Sequence, residues 1–191
     1  MRILIAEDES ITRMGLSRIL EDAGHHVVAA SDGRLAVTLA GRAEPDVVIL
    51  DIKMPRLDGL EAARRIYHER PVPIVLLTAY GDEALVERAK SLPVMAYLIK
   101  PIKEKELLVT LEVVAARFAE FQWLHQQTIE LKEELAARKV IERAKGVLMR
   151  RENLSEEEAY HRIQQKARVE RRAMREVAEE ILDQADRPGR C

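Results

Sequence analysis

Short apolar runs alternate with amphipathic stretches along about the first hundred residues of the chain. Five runs are aliphatic at consecutive positions and lie at residues 3–6, 27–30, 47–50, 74–77 and 95–99. Consecutive apolar positions are typical of strands whose two faces are both buried in a parallel sheet. Four stretches between the runs have helical spacing, at residues 11–23, 35–42, 60–67 and 82–90. This alternation predicts a doubly wound α/β domain on a five-stranded parallel sheet.

The hydrophobic pattern changes after Pro101, where the strand signals end. Residues 103–137 contain neither glycine nor proline, and we expect one long helix there. A stripe with 3-4-3-4 spacing on this helix has apolar residues at Phe121, Leu124, Leu131 and Leu135, with Thr128 at the intervening position. This is the spacing of a coiled-coil seam, about two heptads long. We expect the helix either to mediate self-association or to pack back on the first domain of its own chain.

Three short amphipathic helices are expected after residue 137. The first has an apolar stripe formed by Val140, Ile141, Ala144, Val147 and Leu148. Ser155 and Glu158 have the spacing of a capping box and mark the start of the second helix. An apolar stripe at residues 174–182 predicts the third. None of these helices can bury its stripe alone, so they predict a small all-α three-helix domain.

Polar residues directly follow four of the five predicted strands. Glu7 and Asp8 follow the first run, and Asp51 follows the third. Thr78 and Lys100 follow the fourth and the fifth. In open α/β sheets, ligands bind outside the carboxyl ends of the strands. We therefore predict that these side chains converge on one acidic pocket.

The charge of this pocket predicts its chemistry. Two carboxylates about 4 Å apart interact by roughly 4 kcal/mol at an intermediate dielectric, and this interaction is repulsive. A divalent cation relieves the repulsion, and Mg²⁺ is suited to one or two carboxylates plus water. One carboxylate can then act as a nucleophile towards a phosphoryl group, whose oxygens Thr78 and Lys100 can contact. The pocket thus predicts phosphoryl acceptance.

The net charge of −2 conceals an uneven distribution. Residues 1–137 carry 17 Lys and Arg against 22 Asp and Glu, whereas residues 138–175 carry 12 against 6. A local charge of +6 inside an acidic chain is typical of a surface that binds a polyanion. Charge runs are also common on helix faces that are merely solvated, so composition alone leaves both interpretations open.

Composition and terminal features favour a cytoplasmic protein. Apolar residues make up 47% of the chain, which is enough to build a core. The only cysteine is Cys191, so an internal disulfide is not expected. No segment has the features of a signal peptide or the roughly 20 apolar residues of a membrane span.

The first part of the chain resembles a known family. Four segments carry the resemblance: Leu-Ile-Ala-Glu7-Asp8-Glu, Ile-Leu-Asp51-Ile-Lys-Met-Pro55-Arg-Leu-Asp-Gly59, Leu-Leu-Thr78-Ala79 and Tyr97-Leu-Ile-Lys100-Pro101. They look like the receiver domain of two-component response regulators, and the match spans residues 2–116. The resemblance implies a flavodoxin-like sheet with strand order 2-1-3-4-5 and a cis Lys100–Pro101 bond.

The resemblance also implies roles for the pocket residues. Asp51 is then the phosphorylation site, and a sensor histidine kinase is its phosphodonor. Mg²⁺ is held by four groups: Glu7, Asp8, Asp51 and the backbone carbonyl of Lys53. Thr78 and Lys100 contact the phosphoryl group, and Tyr97 changes position with Thr78. Pro93 departs from the family pattern, which usually has a glycine before the fifth strand.

A second resemblance covers most of the last 65 residues. It rests on Arg138-Lys-Val-Ile-Glu-Arg-Ala144-Lys145-Gly146-Val-Leu-Met149 and on the downstream Ser155 and Glu158-Ala159-Tyr160. These segments look like the ANTAR domain of transcription antitermination regulators. The resemblance implies binding to hairpin RNA in nascent transcripts, which prevents a terminator from forming. We also expect the protein to form a homodimer when it is phosphorylated.

We assign the chain to a receiver domain (2–117), a linker or coiled-coil helix (118–137) and an ANTAR domain (123–184) whose first helix is shared with the linker. The predicted RNA-binding residues are Lys139, Arg143, Lys145, Gly146, Arg150, Arg168 and Arg172. Further cations that can contact phosphate are Arg151, Arg171 and Arg175. Tyr160 has two interpretations, since it can stack on a loop base or belong to the core.

Two other functional classes are alternatives to this interpretation. The first is a response regulator that binds duplex DNA through its C-terminal helices. The second is an enzyme with an aspartate nucleophile, such as a haloacid-dehalogenase-like phosphatase. The sequences of such phosphatases have an Asp-x-Asp pattern, whereas the residue two positions after Asp51 is Lys53 here. We therefore expect a phosphoacceptor with at most slow self-dephosphorylation, not an enzyme.

Overall fold

The computed structural model describes residues 1–79 and 94–186. The chain forms two compact units, Met1–Gln122 and Trp123–Cys191. The helix predicted at residues 82–90, and the departure at Pro93, lie outside the described residues.

The first unit is built on a parallel sheet with strand order β2-β1-β3-β4-β5. Its strands are β1 (Arg2–Ala6), β2 (His26–Ala30), β3 (Val47–Asp51), β4 (Ile74–Thr78) and β5 (Val94–Ile99). The helices described between strands are α1 (Ser10–Asp22), α2 (Gly33–Ala43) and α3 (Gly59–Glu69), and α4 (Glu104–Glu152) follows β5. The predicted doubly wound fold and its strand order are confirmed, and the Lys100–Pro101 peptide bond is cis.

Two hydrophobic clusters cover the two faces of the sheet. Because successive side chains on a strand point to opposite faces, Leu4 and Ile5 belong to different clusters. One cluster joins the sheet to α2 and α3. The other joins it to α1 and to Leu107 and Leu111 at the beginning of α4. The sheet is therefore the middle layer of three.

Burial decreases from the middle of the sheet to its edges. Every residue of β3 and β4 is buried, whereas β2 and β5 contain partly exposed positions. The expectation that all five strands are buried on both faces was wrong for these two. An edge strand has a neighbour on one side only, so the helices that cover the sheet leave part of it exposed.

The turn after β3 places Asp51 at the end of a buried strand. Asp58 caps α3 by accepting a hydrogen bond from the Glu61 N–H at 2.8 Å. The N–H of Gly59 donates to the Ile52 carbonyl at 2.9 Å. A Cβ at Gly59 would overlap the carbonyl oxygen of Asp51, so only glycine fits this close approach. The turn therefore holds the phosphoacceptor candidate against the beginning of α3.

The long helix α4 has no break where the prediction placed one. We expected a helix at 103–137 and a separate short helix after it, but α4 continues to Glu152. No glycine or proline occurs between residues 103 and 145, so nothing in the sequence ends the helix there. The first helix of the predicted bundle is therefore the last part of α4.

The second unit packs the end of α4 with α5 (Glu156–Glu170) and α6 (Met174–Asp186). Its buried core consists of Ala144, Leu148, Ala159, Ile163, Ala167, Val177 and Ala178. The predicted capping box is confirmed, because Ser155 Oγ accepts the Glu158 N–H and the Glu158 carboxylate accepts the Ser155 N–H. Tyr160 lies outside this core and is 41% exposed. Among the described helices, none combines the length and apolar character that a bilayer crossing needs.

Candidate functional site

Three carboxylates meet at the carboxyl edge of the sheet. Glu7 and Asp8 directly follow β1, and Asp51 is the last residue of the neighbouring strand β3. One oxygen from each carboxylate lies within 4.8 Å of the others. Glu7 and Asp51 are buried, whereas Asp8 is exposed. The predicted acidic pocket is therefore present, with one side open to solvent.

Lys100 brings a cation into this pocket. Its Nζ lies 2.6 Å from Glu7 Oε2 and 2.9 Å from Asp51 Oδ2. The backbone supports this placement, because the Lys100 N–H donates to the Thr78 carbonyl at 2.9 Å. Since β5 lies beside β4, this bond fixes the residue after β5 next to the end of β4. Lys100 thus reaches across the sheet edge to both buried carboxylates.

Burial and charge change the acidity of the pocket. Burial raises the pKa of Glu7, the hydrogen bond from Lys100 opposes the rise, and the charge of Asp51 adds to it. Burial acts to lower the pKa of Lys100, but its hydrogen bonds to Glu7 and Asp51 outweigh burial and raise it. The ammonium of Lys100 is therefore held in its charged form by the carboxylates. Three carboxylates against one ammonium leave the pocket with excess negative charge.

The pocket fits a magnesium ion. The buried Glu7 Oε2 has the Lys100 ammonium as a partner at 2.6 Å. One ammonium does not neutralise three carboxylates, so the cluster favours an additional cation. Oxygen ligands from carboxylates, together with the open side at Asp8, match the preference of Mg²⁺ for a few carboxylates plus water. Lys53, whose carbonyl is the fourth predicted ligand, lies two residues after Asp51, and its N–H donates to Asp51 Oδ1 at 3.4 Å.

Thr78 and Tyr97 lie on adjacent strands beside the pocket. Thr78 is buried, and its hydroxyl donates to the Ala79 carbonyl at 3.2 Å. Tyr97 pairs with Leu76 in the β4–β5 register, so its side chain and that of Thr78 share one face of the sheet. Tyr97 is half-buried, and this burial raises the pKa of its phenol. The structure therefore places the two predicted switch residues near each other.

One pocket contact has no sequence signal. The guanidinium of Arg13, on α1, donates to the backbone carbonyls of Glu7 at 2.6 Å and Asp8 at 3.3 Å. It also donates to Ser10 Oγ at 3.3 Å. Arg13 thus supports the loop that carries two of the three carboxylates. Its acceptors are backbone groups, which every residue has, so residue types could not indicate this contact.

Four basic residues of the second unit have hydrogen-bond or ion-pair partners within that unit. Lys145 is 6% exposed and bonds to Glu142 and Glu156. Arg151 donates to the Gln184 and Ala185 carbonyls at the end of α6. Arg172 pairs with Glu170, Glu176 and Glu180, and Arg175 pairs with Glu179. These four cations are occupied by groups of their own unit.

The structure does not support the RNA contact predicted for Lys145. It was predicted to contact RNA, but its ammonium lies between two glutamates and its side chain is 8% exposed. The reason is that Glu156, at the first turn of α5, comes close to α4. Lys145 therefore stabilises the contact between two helices and does not present its charge to solvent. Arg172, a second predicted contact, keeps 38% of its side chain exposed but has three glutamate partners.

The remaining cations include a basic stripe on α4, which consists of Lys139, Arg143 and Arg150. Their spacing of four and seven residues places them on one helix face, together with Gly146. All three are exposed, and none forms an ion pair within the part of the chain that the structure describes. A Cβ at Gly146 would meet only the Arg150 guanidinium, at 3.6 Å. Arg168 is exposed on α5.

Comparisons with known proteins agree with both resemblances. Residues 3–112 match the family described as response regulator receiver domain, and residues 130–182 match the ANTAR domain. The chain belongs to the response regulators with a receiver and an ANTAR domain. The transcriptional regulatory protein PdtaR of Mycobacterium tuberculosis is 43% identical over 188 residues, which cover 98% of this chain and 92% of that protein.

Several other proteins similar to this response regulator match a smaller share of the chain. The probable transcriptional regulator ycf27 of Guillardia theta is 42% identical over 118 residues, which are 61% of this chain and 46% of that protein. Among solved structures, Vibrio cholerae chemotaxis protein CheY4 superposes with a TM-score of 0.57 at 32% identity and covers 59% of this chain and 97% of its own. A receiver domain protein from Clostridium thermocellum has a TM-score of 0.59 at 28% identity, with 63% and 98% covered.

Proposed function

We propose that this response regulator accepts a phosphoryl group on Asp51 from a sensor histidine kinase and then binds hairpin RNA in nascent transcripts to prevent transcription termination. The observation that carries the proposal is the pocket of three carboxylates and Lys100 in a chain that also has an ANTAR domain. Both proposed partners, a kinase and a nascent transcript, would place this activity in the cytoplasm.

The proposed chemistry is a transfer between two nucleophiles. A carboxylate oxygen of Asp51 attacks the phosphorus of a phosphohistidine, so that an O–P bond forms and the N–P bond breaks. The electron pair of the broken bond returns to the imidazole, which takes up a proton. The Lys100 ammonium, 2.9 Å from Asp51 Oδ2, is placed to contact a phosphoryl oxygen, and the Thr78 hydroxyl can rotate to donate to another.

The metal ligands in this proposal are Glu7, Asp8, Asp51 and the Lys53 carbonyl. When bound, Mg²⁺ neutralises negative charge that develops on the phosphoryl oxygens. The protein itself contributes position and charge, and position 53 is lysine, so the pocket lacks the second acid of an Asp-x-Asp pattern. We therefore propose a phosphoacceptor that loses its phosphoryl group slowly, not an enzyme.

The proposed switch begins at Asp51 and acts through Thr78 and Tyr97. A hydroxyl that turns towards a phosphoryl group on Asp51 changes the surroundings of Tyr97, because both side chains share one face of the sheet. Moving a two-state equilibrium from 1:99 to 99:1 requires about 5.5 kcal/mol of preference for the active state. Phosphorylation must supply that difference if the protein is to respond as a switch.

The proposed active state is a homodimer. The apolar stripe on α4 is exposed in this chain, with Phe121 at 52%, Leu124 at 51%, and Leu131 and Leu135 each at 58%. Exposed apolar side chains at 3-4-3-4 spacing favour association with a second helix. A dimer would present two ANTAR domains, which suits an RNA with two hairpins.

The basic stripe is the proposed RNA contact. Lys139, Arg143 and Arg150 are exposed cations on one helix face, and Gly146 lacks a side chain among them. Such a surface lets a phosphate backbone approach closely, and each phosphate contact lowers the logarithm of the affinity by roughly 0.7–0.9 per tenfold rise in salt. Tyr160 is 41% exposed and outside the core, which supports stacking on an unpaired loop base.

A gel-shift comparison tests this function against the DNA-binding alternative. The full chain, with and without acetyl phosphate and Mg²⁺, is titrated into a two-hairpin RNA and into a duplex DNA of equal length. We expect tighter binding to RNA and a gain in RNA affinity with the phosphodonor. Preference for the duplex would support the DNA-binding alternative and overturn the RNA proposal.

A further inference from the structure

A fourth carboxylate lies at the same edge of the sheet, outside the acidic cluster. Asp32 follows β2, and its side chain is only 8% exposed. Its Oδ1 accepts the backbone N–H groups of Arg34 at 2.9 Å and Leu35 at 3.0 Å, which caps α2. Its Oδ2 faces Arg56, whose guanidinium nitrogen lies 2.5 Å away. The hydrogen bond from the Leu35 N–H, followed by that from Arg56, holds the pKa of Asp32 below its usual range.

Arg56 lies in the loop after β3, three residues beyond Lys53. Its φ angle is 68°, in the left-handed region that favours glycine. An arginine at such a position carries backbone strain, which persists only where the surrounding structure holds it. The ion pair with Asp32 is a side-chain contact of this kind, because it joins the loop to the N-terminus of α2 across 24 residues of sequence.

The same two segments also touch through their backbones. A Cβ at Gly33 would overlap the carbonyl oxygen of Leu57, so the loop lies directly against the first residue of α2. The N–H of Leu57 donates to the Pro55 carbonyl at 2.8 Å, which tightens the loop on itself. Residues 52–59 are thus held by three contacts: Gly59 packs against Asp51, Leu57 packs against Gly33 of α2, and Leu57 bonds to Pro55 within the loop. The carbonyl of Lys53 lies in this segment.

We propose that Arg56 is a positioning residue for the metal site: its ion pair with Asp32 holds the loop after β3 so that the Lys53 carbonyl faces the acidic pocket. This inference rests on the proposed function, since it gives Arg56 a role in positioning a ligand of the proposed Mg²⁺ site.

The test uses the full chain and two measurements. Isothermal titration calorimetry with Mg²⁺ alone gives the metal affinity, and amide hydrogen exchange in metal-free buffer gives the protection of residues 52–59. Arg56→Gly is the informative variant, because glycine accepts the φ angle of 68° and the substitution removes the guanidinium with the rest of the side chain. Loss of a supporting contact around a metal site typically costs about tenfold or more in affinity. We expect about a tenfold weaker Mg²⁺ affinity and faster exchange in the loop.

Three further variants define the result. Arg56→Lys should recover part of the affinity, because it restores the charge but not the second donor nitrogen. Asp32→Asn should weaken Mg²⁺ binding to a similar degree, and the double variant with Arg56→Gly should lose little more. Arg65→Ala is the matched control, since Arg65 pairs with Glu61 on the exposed side of α3 and should leave the affinity unchanged.

The possible failures are distinguishable. If the unaltered protein binds no Mg²⁺, the proposed metal site is wrong and the positioning role falls with it. If the unaltered protein binds Mg²⁺ and Arg56→Gly changes neither affinity nor exchange, only the positioning role is overturned. Additive losses in the double variant would show that Asp32 and Arg56 act separately, which also contradicts the proposal.

Discussion

Lys145 Nζ lies 2.7 Å from Glu156 Oε1 and 3.0 Å from each carboxylate oxygen of Glu142. The lysine lies on α4 and Glu156 begins α5, so the ion pair joins the first two helices of the second unit. The hydrogen bond that Lys145 donates lowers the pKa of Glu156, and the hydrogen bonds that it donates to Glu156 and Glu142 raise the pKa of Lys145. Both shifts favour the charged pair near neutral pH.

Replacing Lys145 should therefore affect folding and not the RNA contact. Lys145→Met removes the link to Glu156, so we expect a lower melting temperature for the second unit by circular dichroism. At a temperature where the variant is fully folded, the salt slope of RNA binding should be unchanged. Arg143→Gln is the comparison, because loss of one phosphate contact should reduce the salt slope by roughly 0.7–0.9. A reduced slope in Lys145→Met would contradict the structural role.

Gly146→Ala should have opposite effects on the stability of α4 and on its affinity for RNA. The new methyl group would have ordinary contact with Arg150 at 3.6 Å, so it fits the structure. Alanine in a helix interior is favoured over glycine by about 1 kcal/mol, and chemical unfolding should detect this gain. If a phosphate backbone approaches at Gly146, the more stable variant should bind hairpin RNA less tightly. Equal RNA affinity would mean that the glycine is not part of the contact.

Asp51→Ala should abolish labelling by radioactive acetyl phosphate, because it removes the proposed acceptor oxygen. The gain in RNA affinity with phosphodonor should disappear in the same variant. Asp22→Asn is a suitable control, since Asp22 lies on the exposed side of α1, paired with Arg18. An Asp51→Ala protein that still gained RNA affinity with the phosphodonor would show that the acceptor lies elsewhere.

Magnesium affinity should depend on pH through Glu7. Burial raises the pKa of Glu7 above its ordinary value of 4.5, and protonation removes a ligand charge, so affinity should fall as pH falls through the raised pKa. Lys100 opposes this rise, so in Lys100→Met the decline should begin at a higher pH. Calorimetric titrations from pH 8 to pH 5, at intervals of roughly half a unit, would measure both curves.

Lys103→Met provides the control for that experiment, because Lys103 is exposed and no contact with the pocket is described. Its titration curve should follow that of the unaltered protein. A Lys100→Met curve displaced to lower pH would mean that Lys100 does not act on Glu7 as the 2.6 Å contact indicates.

Leu131→Glu should prevent self-association while leaving the monomer folded, since Leu131 is 58% exposed and a charge there costs the monomer little burial. Light scattering with beryllofluoride and a two-hairpin RNA should find a dimer for the unaltered protein and a monomer for the variant. Gln126→Lys, on the opposite side of α4 by helical spacing, should still form the dimer. A dimer that survives Leu131→Glu would place the interface elsewhere.

The sequence by itself determined the fold and the location of the pocket. Apolar runs define the strands, and the polar residues after four of them lie at one edge because parallel strands end together. Glu7, Asp8, Asp51, Thr78 and Lys100 could therefore be placed together from the sequence. The capping box at Ser155 was equally readable, because its donors and acceptors lie within four residues. Such features depend on local spacing and on chain direction.

Only the tertiary structure decided which charged side chains are exposed to solvent and which are paired within the protein. Lys145 and Arg143 are both cations on α4, but one is enclosed by Glu156 and the other is exposed, because α5 packs beside only one of them. Asp32 and Arg56 are 24 residues apart, and their pairing depends on how closely a loop approaches α2. A charge pair between distant segments depends on how the helices, strands and loops pack, so the spacing of residues in the sequence does not predict it.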